Sequence, residues 1–258
     1  MNTLEIKIRG IFENIGKDFE KRCPEKCRGY FQIAGQKFLM EFENHRMKEY
    51  FTWQVMFEWR LKFLTESEEV FGTIYIWTDE MAGQLAEIKG KEGLPMSSVQ
   101  TSKGNIAFYV IGKGTRVGEL VFAWCSETKE GWVLIQPEQL ENFYQLSFML
   151  TPLFSRMAPD IQMSLIHGAG VGIDGYGVIL AGLSGAGKSS LAAACLMSGM
   201  QYVSDDTMFL GLADNKAYPM CSTIHVAPKI LDIFTQINGE EFESRNGRGE
   251  KRHLDISF

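Results

Sequence analysis

Histidine and cysteine are scarce in this sequence, with four His and five Cys among 258 residues. His45, His167, His225 and His253 stand far apart. A structural zinc site usually takes four ligands in two close pairs. Cys23-Pro24-Glu25-Lys26-Cys27 offers one pair and no second is evident, so two free cysteines in a turn are expected. An odd number of cysteines scattered along a chain of this size argues against a disulfide framework and for reduced thiols in a cytosol.

Long apolar runs are missing as well. Gly, Ser or a charge interrupts every apolar stretch within a few residues, which excludes a bilayer-spanning helix. Met1-Asn2-Thr3-Leu4-Glu5 has no basic segment leading into an apolar run, so no secretory leader is expected and a cytoplasmic location is. Positive charge is not in excess either. The 26 Lys and Arg face 32 Asp and Glu, a net charge of -6. Such a balance gives no global attraction to nucleic acid or to an anionic membrane, and neither is expected as a partner.

What is present is the composition of a globular chain, 45% hydrophobic and 22% charged. The length suits one large domain or two small ones. The first half reads as β-rich. Thr3 to Gly10 alternates, with Leu4, Ile6 and Ile8 on one side, and predicts a strand. Tyr30 to Ile33 and Lys37 to Phe42 flank Ala34-Gly35-Gln36 as a hairpin. Val70 to Thr78 is a further strand. Ile106 to Ile111 and Val117 to Trp124 form a second hairpin, and Trp132 to Ile135 follows. Tyr50, Phe51, Trp53, Phe57, Trp59 and Phe63 crowd one segment, and core packing is the expected role of such large apolar side chains.

The spacing of Leu140, Phe143, Leu146, Leu150 and Leu153 predicts a helix from about Pro137 to Arg156, with Pro152 as an obstacle to it. From Ile161 short apolar strands alternate with glycines. The organisation expected is a β-rich region over 1–135 and a nucleotide-binding core over 136–258.

Within that core, Gly177-Val178-Ile179-Leu180-Ala181 is a short strand. Gly182-Leu183-Ser184-Gly185-Ala186-Gly187-Lys188-Ser189 follows it, and a helix opens at Ser190. Gly-rich loop between strand and helix is the context a phosphate loop requires. The glycines let the backbone bend where a Cβ would clash, so that its N–H groups cradle phosphate oxygens. The helix N-terminus adds partial positive charge. Lys188 supplies a cation for the β- and γ-phosphates, and Ser189 a hydroxyl for Mg²⁺. ATP with Mg²⁺ is the expected ligand, and the Asn-Lys-x-Asp guanine signature is absent.

The helix ends at Gly199, and Gln201-Tyr202-Val203-Ser204-Asp205-Asp206 reads as the next strand. Two carboxylates beside a phosphate loop suit one metal-directed group and one proton acceptor, although a solvated turn would also place Asp-Asp there. Neighbouring strand residues face opposite ways, so Asp205 and Asp206 are expected to differ in role.

Ile166-His167-Gly168, Gly175-Tyr176-Gly177, the phosphate loop and Val203-Ser204-Asp205-Asp206 together resemble the HPr kinase/phosphorylase superfamily. The resemblance covers Ile166 to about Leu210. It implies an α/β fold with a P-loop kinase core of the phosphoenolpyruvate carboxykinase type, and transfer of phosphate from ATP to a serine hydroxyl on a protein. It assigns the proton acceptor to Asp206, a neighbouring metal-directed place to Asp205, an active-site role to His167, and the phosphate and Mg²⁺ roles to Lys188 and Ser189. The family's Glu-containing signature segment is not found. Cys221 to Pro228 stands in its place, then a short helix from about Lys229 and a polar loop. Arg245, Arg248, Lys251 and Arg252 are candidates for charge stabilisation, or form a solvated loop.

The first half does not resemble the bifunctional enzyme's regulatory domain, so the looser relatives, serine kinases acting on peptides or other proteins, are the better comparison. The expected partner is a protein or peptide that carries a serine, and a homo-oligomer stays open. A small-molecule kinase on the same core and a nucleotide-dependent regulatory protein with weak turnover are the rival readings.

Overall fold

The computed structural model describes residues 3–58, 62–64, 69–89, 97–112, 119–140, 150–183, 185–220, 223–226, 244–246 and 252–255. The chain divides into two compact units. One holds Met1–Met56 and Leu61–Ile161, the other Phe57–Arg60 and Gln162–Phe258.

The first unit opens with a helix, α1 (Thr3–Arg22), where alternation predicted a strand. Ile6 is 54% exposed, so the alternating set does not share a buried face. The deciding pattern is Ile8, Phe12, Ile15 and Phe19, spaced by four, three and four, which places one apolar stripe along a helix. Phe12, Ile15 and Phe19 are buried in the core of this unit.

Around that core lies one mixed eight-stranded sheet. Its strands are β1 (Cys27–Ile33), β2 (Gln36–Phe42), β3 (Lys62–Leu64), β4 (Gly72–Thr78), β5 (Ser97–Thr101), β6 (Gly104–Ile111), β7 (Leu120–Cys125) and β8 (Glu130–Ile135). Their order is β3-β1-β2-β4-β8-β7-β6-β5, parallel at β2–β4 and β4–β8 and antiparallel elsewhere. Both expected hairpins form, β1 with β2 and β6 with β7. No described strand of the second unit joins this sheet, so the β-rich region builds its own sheet.

Two further helices complete the framework, α2 (His45–Glu58) and α3 (Met81–Lys89). Phe51 of the aromatic segment is buried against Phe31 and Phe42. The side chains of Tyr50, Trp53, Phe57, Trp59 and Phe63 lie outside the described residues. Cys23 and Cys27 carry free thiols, and burial pushes that of Cys23 up to about 12.

Of the long helix expected from Pro137, the residues 141–149 lie outside the described ones. The helix α4 (Thr151–Met157) has Pro152 in its first turn, where the missing N–H costs nothing, so the proline starts a helix here. The residues after it are held to the first unit. Trp124 Nε1 donates to Asp160 at 2.7 Å, and Lys129 Nζ lies 3.3 Å from the same carboxylate. The division of the chain therefore falls at Gln162, later than Gln136.

The second unit begins with β9 (Met163–His167), β10 (Ala169–Ile173) and β11 (Tyr176–Leu180). A helix, α5 (Lys188–Met197), follows, then β12 (Gln201–Ser204), β13 (Thr207–Gly211) and β14 (Ala217–Pro219). Beyond them lie β15 (Thr223–Val226), β16 (Ser244–Asn246) and β17 (Arg252–Asp255). They form three sheets of three strands, β11-β10-β12, β14-β13-β9 and β15-β17-β16. Asp174 and Gly175, with φ of 51° and 81°, make the tight turn of the β10–β11 hairpin. Ala192 and Ala193 of α5 pack on Ala169, Val171 and Tyr202. The small alanines bring the helix close to the sheet.

Candidate functional site

Two strand pairs change sheet at the same corner. The chain leaves β9 for β10 at Gly168, and leaves β12 for β13 at Asp205 and Asp206. The two crossings are joined, since Gly168 N donates to Asp206 O at 3.0 Å. A Cβ on Gly168 would lie 2.9 Å from Leu180 O, at the end of β11, so only glycine fits this crossing.

The strand expected to run through Asp206 ends at Ser204. Thr207 N donates to Asp205 O at 2.9 Å, and Asp206 between them has φ 71°. An i→i+2 bond around a residue of positive φ is a γ-turn of the rare, strained kind. Strand alternation does not apply to this pair. The turn itself parts the two carboxylates. Asp205 is buried, and its Oδ1 accepts from Ser189 Oγ at 3.0 Å. Asp206 is partly exposed, and its Oδ1 lies 3.3 Å from His167 Nδ1. The pairing of Thr207 with His167 across β13 and β9 brings the histidine to the corner.

Ser204, not singled out in the sequence, braces the turn. Its buried hydroxyl donates to Thr207 O at 2.8 Å and accepts from Met220 N at 3.4 Å. The signal available was a serine three residues before a threonine, a common turn pattern of little specificity.

The glycine-rich loop joins β11 to α5. Gly185 and Gly187 have φ of 82° and 86°, and a Cβ on either would meet nothing within 4 Å. They are glycine for backbone conformation and leave open space over the helix start. With Gly187 at the N-cap, no side chain of that residue competes for the first-turn N–H groups. Ala186 N closes the loop onto Leu183 O at 3.1 Å, while the Leu183 side chain is 86% exposed and Gly182 is exposed. Ser190 is exposed on the first turn of α5, and Ser184 lies outside the described residues.

Lys188 Nζ donates to Gly182 O at 2.9 Å and Leu183 O at 3.2 Å. The ammonium thus rests on carbonyls of its own loop. A phosphate would be a stronger partner and could draw it away.

The Ser189 hydroxyl and the Asp205 carboxylate are hard oxygen donors a hydrogen bond apart, a pair suited to Mg²⁺, which keeps water and phosphate oxygens as its other ligands. Among the described residues no three of His, Cys, Asp and Glu gather as a metal cluster. Arg245 and Arg252 fall in β16 and β17, but their side chains, and Arg248 and Lys251 altogether, lie outside the described residues. So do Cys221, Ser222, Ala227, Pro228 and the helix expected from Lys229. No described helix is long and apolar enough to cross a membrane.

No family model matches the chain. Among curated proteins, a stretch of 132 residues, 51% of the chain, is 31% identical to the HPr kinase/phosphorylase of Listeria welshimeri, with the same values for those of Listeria monocytogenes and Listeria innocua. The chain spans 38% of the length of these relatives. It is a distant homologue of HPr kinase/phosphorylase, not a close match.

Proposed function

We propose that this protein is an ATP-dependent kinase with a core of the phosphoenolpyruvate-carboxykinase type, and that it transfers the γ-phosphoryl group to the hydroxyl of a serine in a protein or peptide. The observation that carries the reading is the Ser189–Asp205 hydrogen bond, which ties the glycine-rich loop to the acidic corner. Distant homology to a kinase supports the class of reaction.

When bound, Mg-ATP supplies the phosphoryl group, with the metal offsetting its negative charge. The N–H groups of the loop and of the first turn of α5, from Gly182 to Ser190, hold the phosphates. Lys188 exchanges its loop carbonyls for phosphate oxygens. Ser189 Oγ and Asp205 Oδ1 are the groups that would hold the metal. Asp206 accepts the proton of the acceptor hydroxyl as the new O–P bond forms and the bond from the γ-phosphorus to the bridging oxygen breaks. His167, beside Asp206, orients that carboxylate and takes up part of its charge change.

The test uses ATP labelled in its terminal phosphate, with peptide and protein acceptors. The reading expects label in a phosphoserine, and much less of it with Lys188→Ala at an ATP concentration that saturates only the wild type. Label in a small molecule alone would replace it with a metabolite kinase. Tight ATP binding with no transfer to any acceptor would replace it with a nucleotide-dependent regulator.

A further inference from the structure

The face of the β11-β10-β12 sheet turned away from α5 has no use in the mechanism above. Alternation puts Ala169 and Val171 toward α5, where they pack, and so turns Gly170 and Gly172 the other way. Val171 pairs with Val178 across the hairpin, so Gly177 shares the glycine face. Ile179, which pairs with Gly170, and Val203 project from this face as well, so the stretch bare of side chains is the one at Gly172 and Gly177, with Ile179 and Val203 as apolar walls beside it. Above it stand Leu210 and Ala217, from β13 and the strand β14, and together they enclose a cleft of about 310 Å³.

The three glycines are not equivalent. A Cβ on Gly170 would lie 3.0 Å from Met208 Cε, and one on Gly172 would lie 2.8 Å from Tyr176 O. Those two are required by close packing. A Cβ on Gly177 would meet only Val171 O, at 3.7 Å. Glycine is not needed there for packing, and any larger side chain would grow into the cleft.

The rim is polar in one sense. Gln201, Asn215 and Lys216 line it, with no Asp or Glu among the described lining residues. The side chains of Gln201 and Asn215 make no hydrogen bond among the described residues, although both could donate. The nearby Asp214 is engaged with the Tyr218 hydroxyl at 2.7 Å and with Lys216 N at 3.0 Å.

We propose that this cleft binds a small planar aromatic carboxylate, its ring lying on the glycine floor and its carboxylate at Lys216, Gln201 and Asn215. A flat floor of peptide planes between apolar walls accepts a ring, and the rim has cationic and amide donors for an anion. The site is separate from the phosphate loop. It runs along the hairpin from Gly175 to Ile179, and among the described residues none from Gly182 to Ser189 lines it. It nevertheless touches β11, which leads to the loop, and β12, which leads to Asp205. The binding itself does not depend on the kinase reading.

The test is a calorimetric and amide-NMR titration of the full chain with naphthoate, with naphthalenemethanol as the neutral comparison and no nucleotide present. Shift changes are expected at Gly170, Gly172, Gly177 and Ala217. Gly177→Leu fills the cleft and should abolish them. Ala217→Phe fills it from the opposite side and should do the same, so that misfolding of one variant does not decide the matter. Lys216→Gln should weaken naphthoate by about two- to fivefold, the scale of an exposed ion pair, and leave naphthalenemethanol unchanged. No shift at these glycines, or equal binding by wild type and both filled variants, overturns the proposal.

Discussion

The Ser189 hydroxyl donates to Asp205 Oδ1 across 3.0 Å, joining the first turn of α5 to the γ-turn after β12. Two segments sixteen residues apart in sequence thus meet at one oxygen pair. Ser189→Ala removes the donor and should cost about 1 kcal/mol of stability, the worth of one such bond. Its larger effect is expected on the metal. Ser189→Ala and Asp205→Asn should both raise the Mg²⁺ concentration needed for half-maximal turnover, measured by titrating Mg²⁺ at fixed ATP. An unchanged requirement in both would remove the metal role.

Lys188 is expected to contribute to ligand rather than fold. Its partners in the structure are the carbonyls of Gly182 and Leu183, both exposed, and breaking those bonds exposes no core. Lys188→Ala should keep the melting temperature and weaken Mg-ATP by about 10- to 100-fold, the range for hydrogen bonds to a charged group. Calorimetry on both proteins checks it, and equal affinities would dismiss the phosphate-loop assignment.

His167 offers a sharper separation of structure from function. Its side chain is 57% exposed, and an exposed pair with Asp206 adds little stability. His167→Ala should leave thermal unfolding within a few degrees of wild type. If it holds Asp206 in place, turnover should fall by about 10²-fold, the cost of a misplaced catalytic group. A large loss of melting temperature with normal turnover would mark it as structural.

The secondary structure nearest the loop was legible because its signals are local. Strand, glycines and alanine-rich helix follow one another without a gap, and β9 to β11 and α5 lie where apolar runs and glycines put them. Two features were not legible for physical reasons. In α1, Leu4, Ile6 and Ile8 fit a period of two over too short a window, while the stripe through Phe12, Ile15 and Phe19 becomes decisive only over the whole helix.

At the acidic corner, Val203-Ser204-Asp205-Asp206-Thr207-Met208 has nothing that must break a strand. The break arises because β12 pairs with β10 and β13 with β9, in different sheets. Aspartate tolerates the positive φ of 71° better than most residues, so no glycine announces the turn. The glycine-floored cleft was equally silent, since its walls come from strands far apart in sequence.

Acid should weaken the first unit through Glu13. The Ser102 hydroxyl, and then its backbone N–H, donate to the Glu13 carboxylate and hold its pKa below the ordinary 4.5. A depressed carboxylate stabilises the fold above the unfolded-state value, and that contribution is lost as pH falls through the lower, folded-state value. Urea midpoints of wild type and Glu13→Gln, followed from neutral to acid pH, should differ most near neutrality and converge in acid. Parallel curves would show that this carboxylate does not set the acid limb.

The central claim is that Asp206 accepts the proton of the attacking hydroxyl. Asn in its place keeps the shape, tolerates the positive φ of 71° and lacks the basicity. The direct measurement is single-turnover phosphoryl transfer from Mg-ATP to a serine acceptor, for wild type and Asp206→Asn, with nucleotide affinity measured on the same samples. The account predicts near-equal affinity and a transfer rate lower by about 10²-fold or more in the variant, the scale of general-base catalysis. Transfer by Asp206→Asn at the wild-type rate would contradict it.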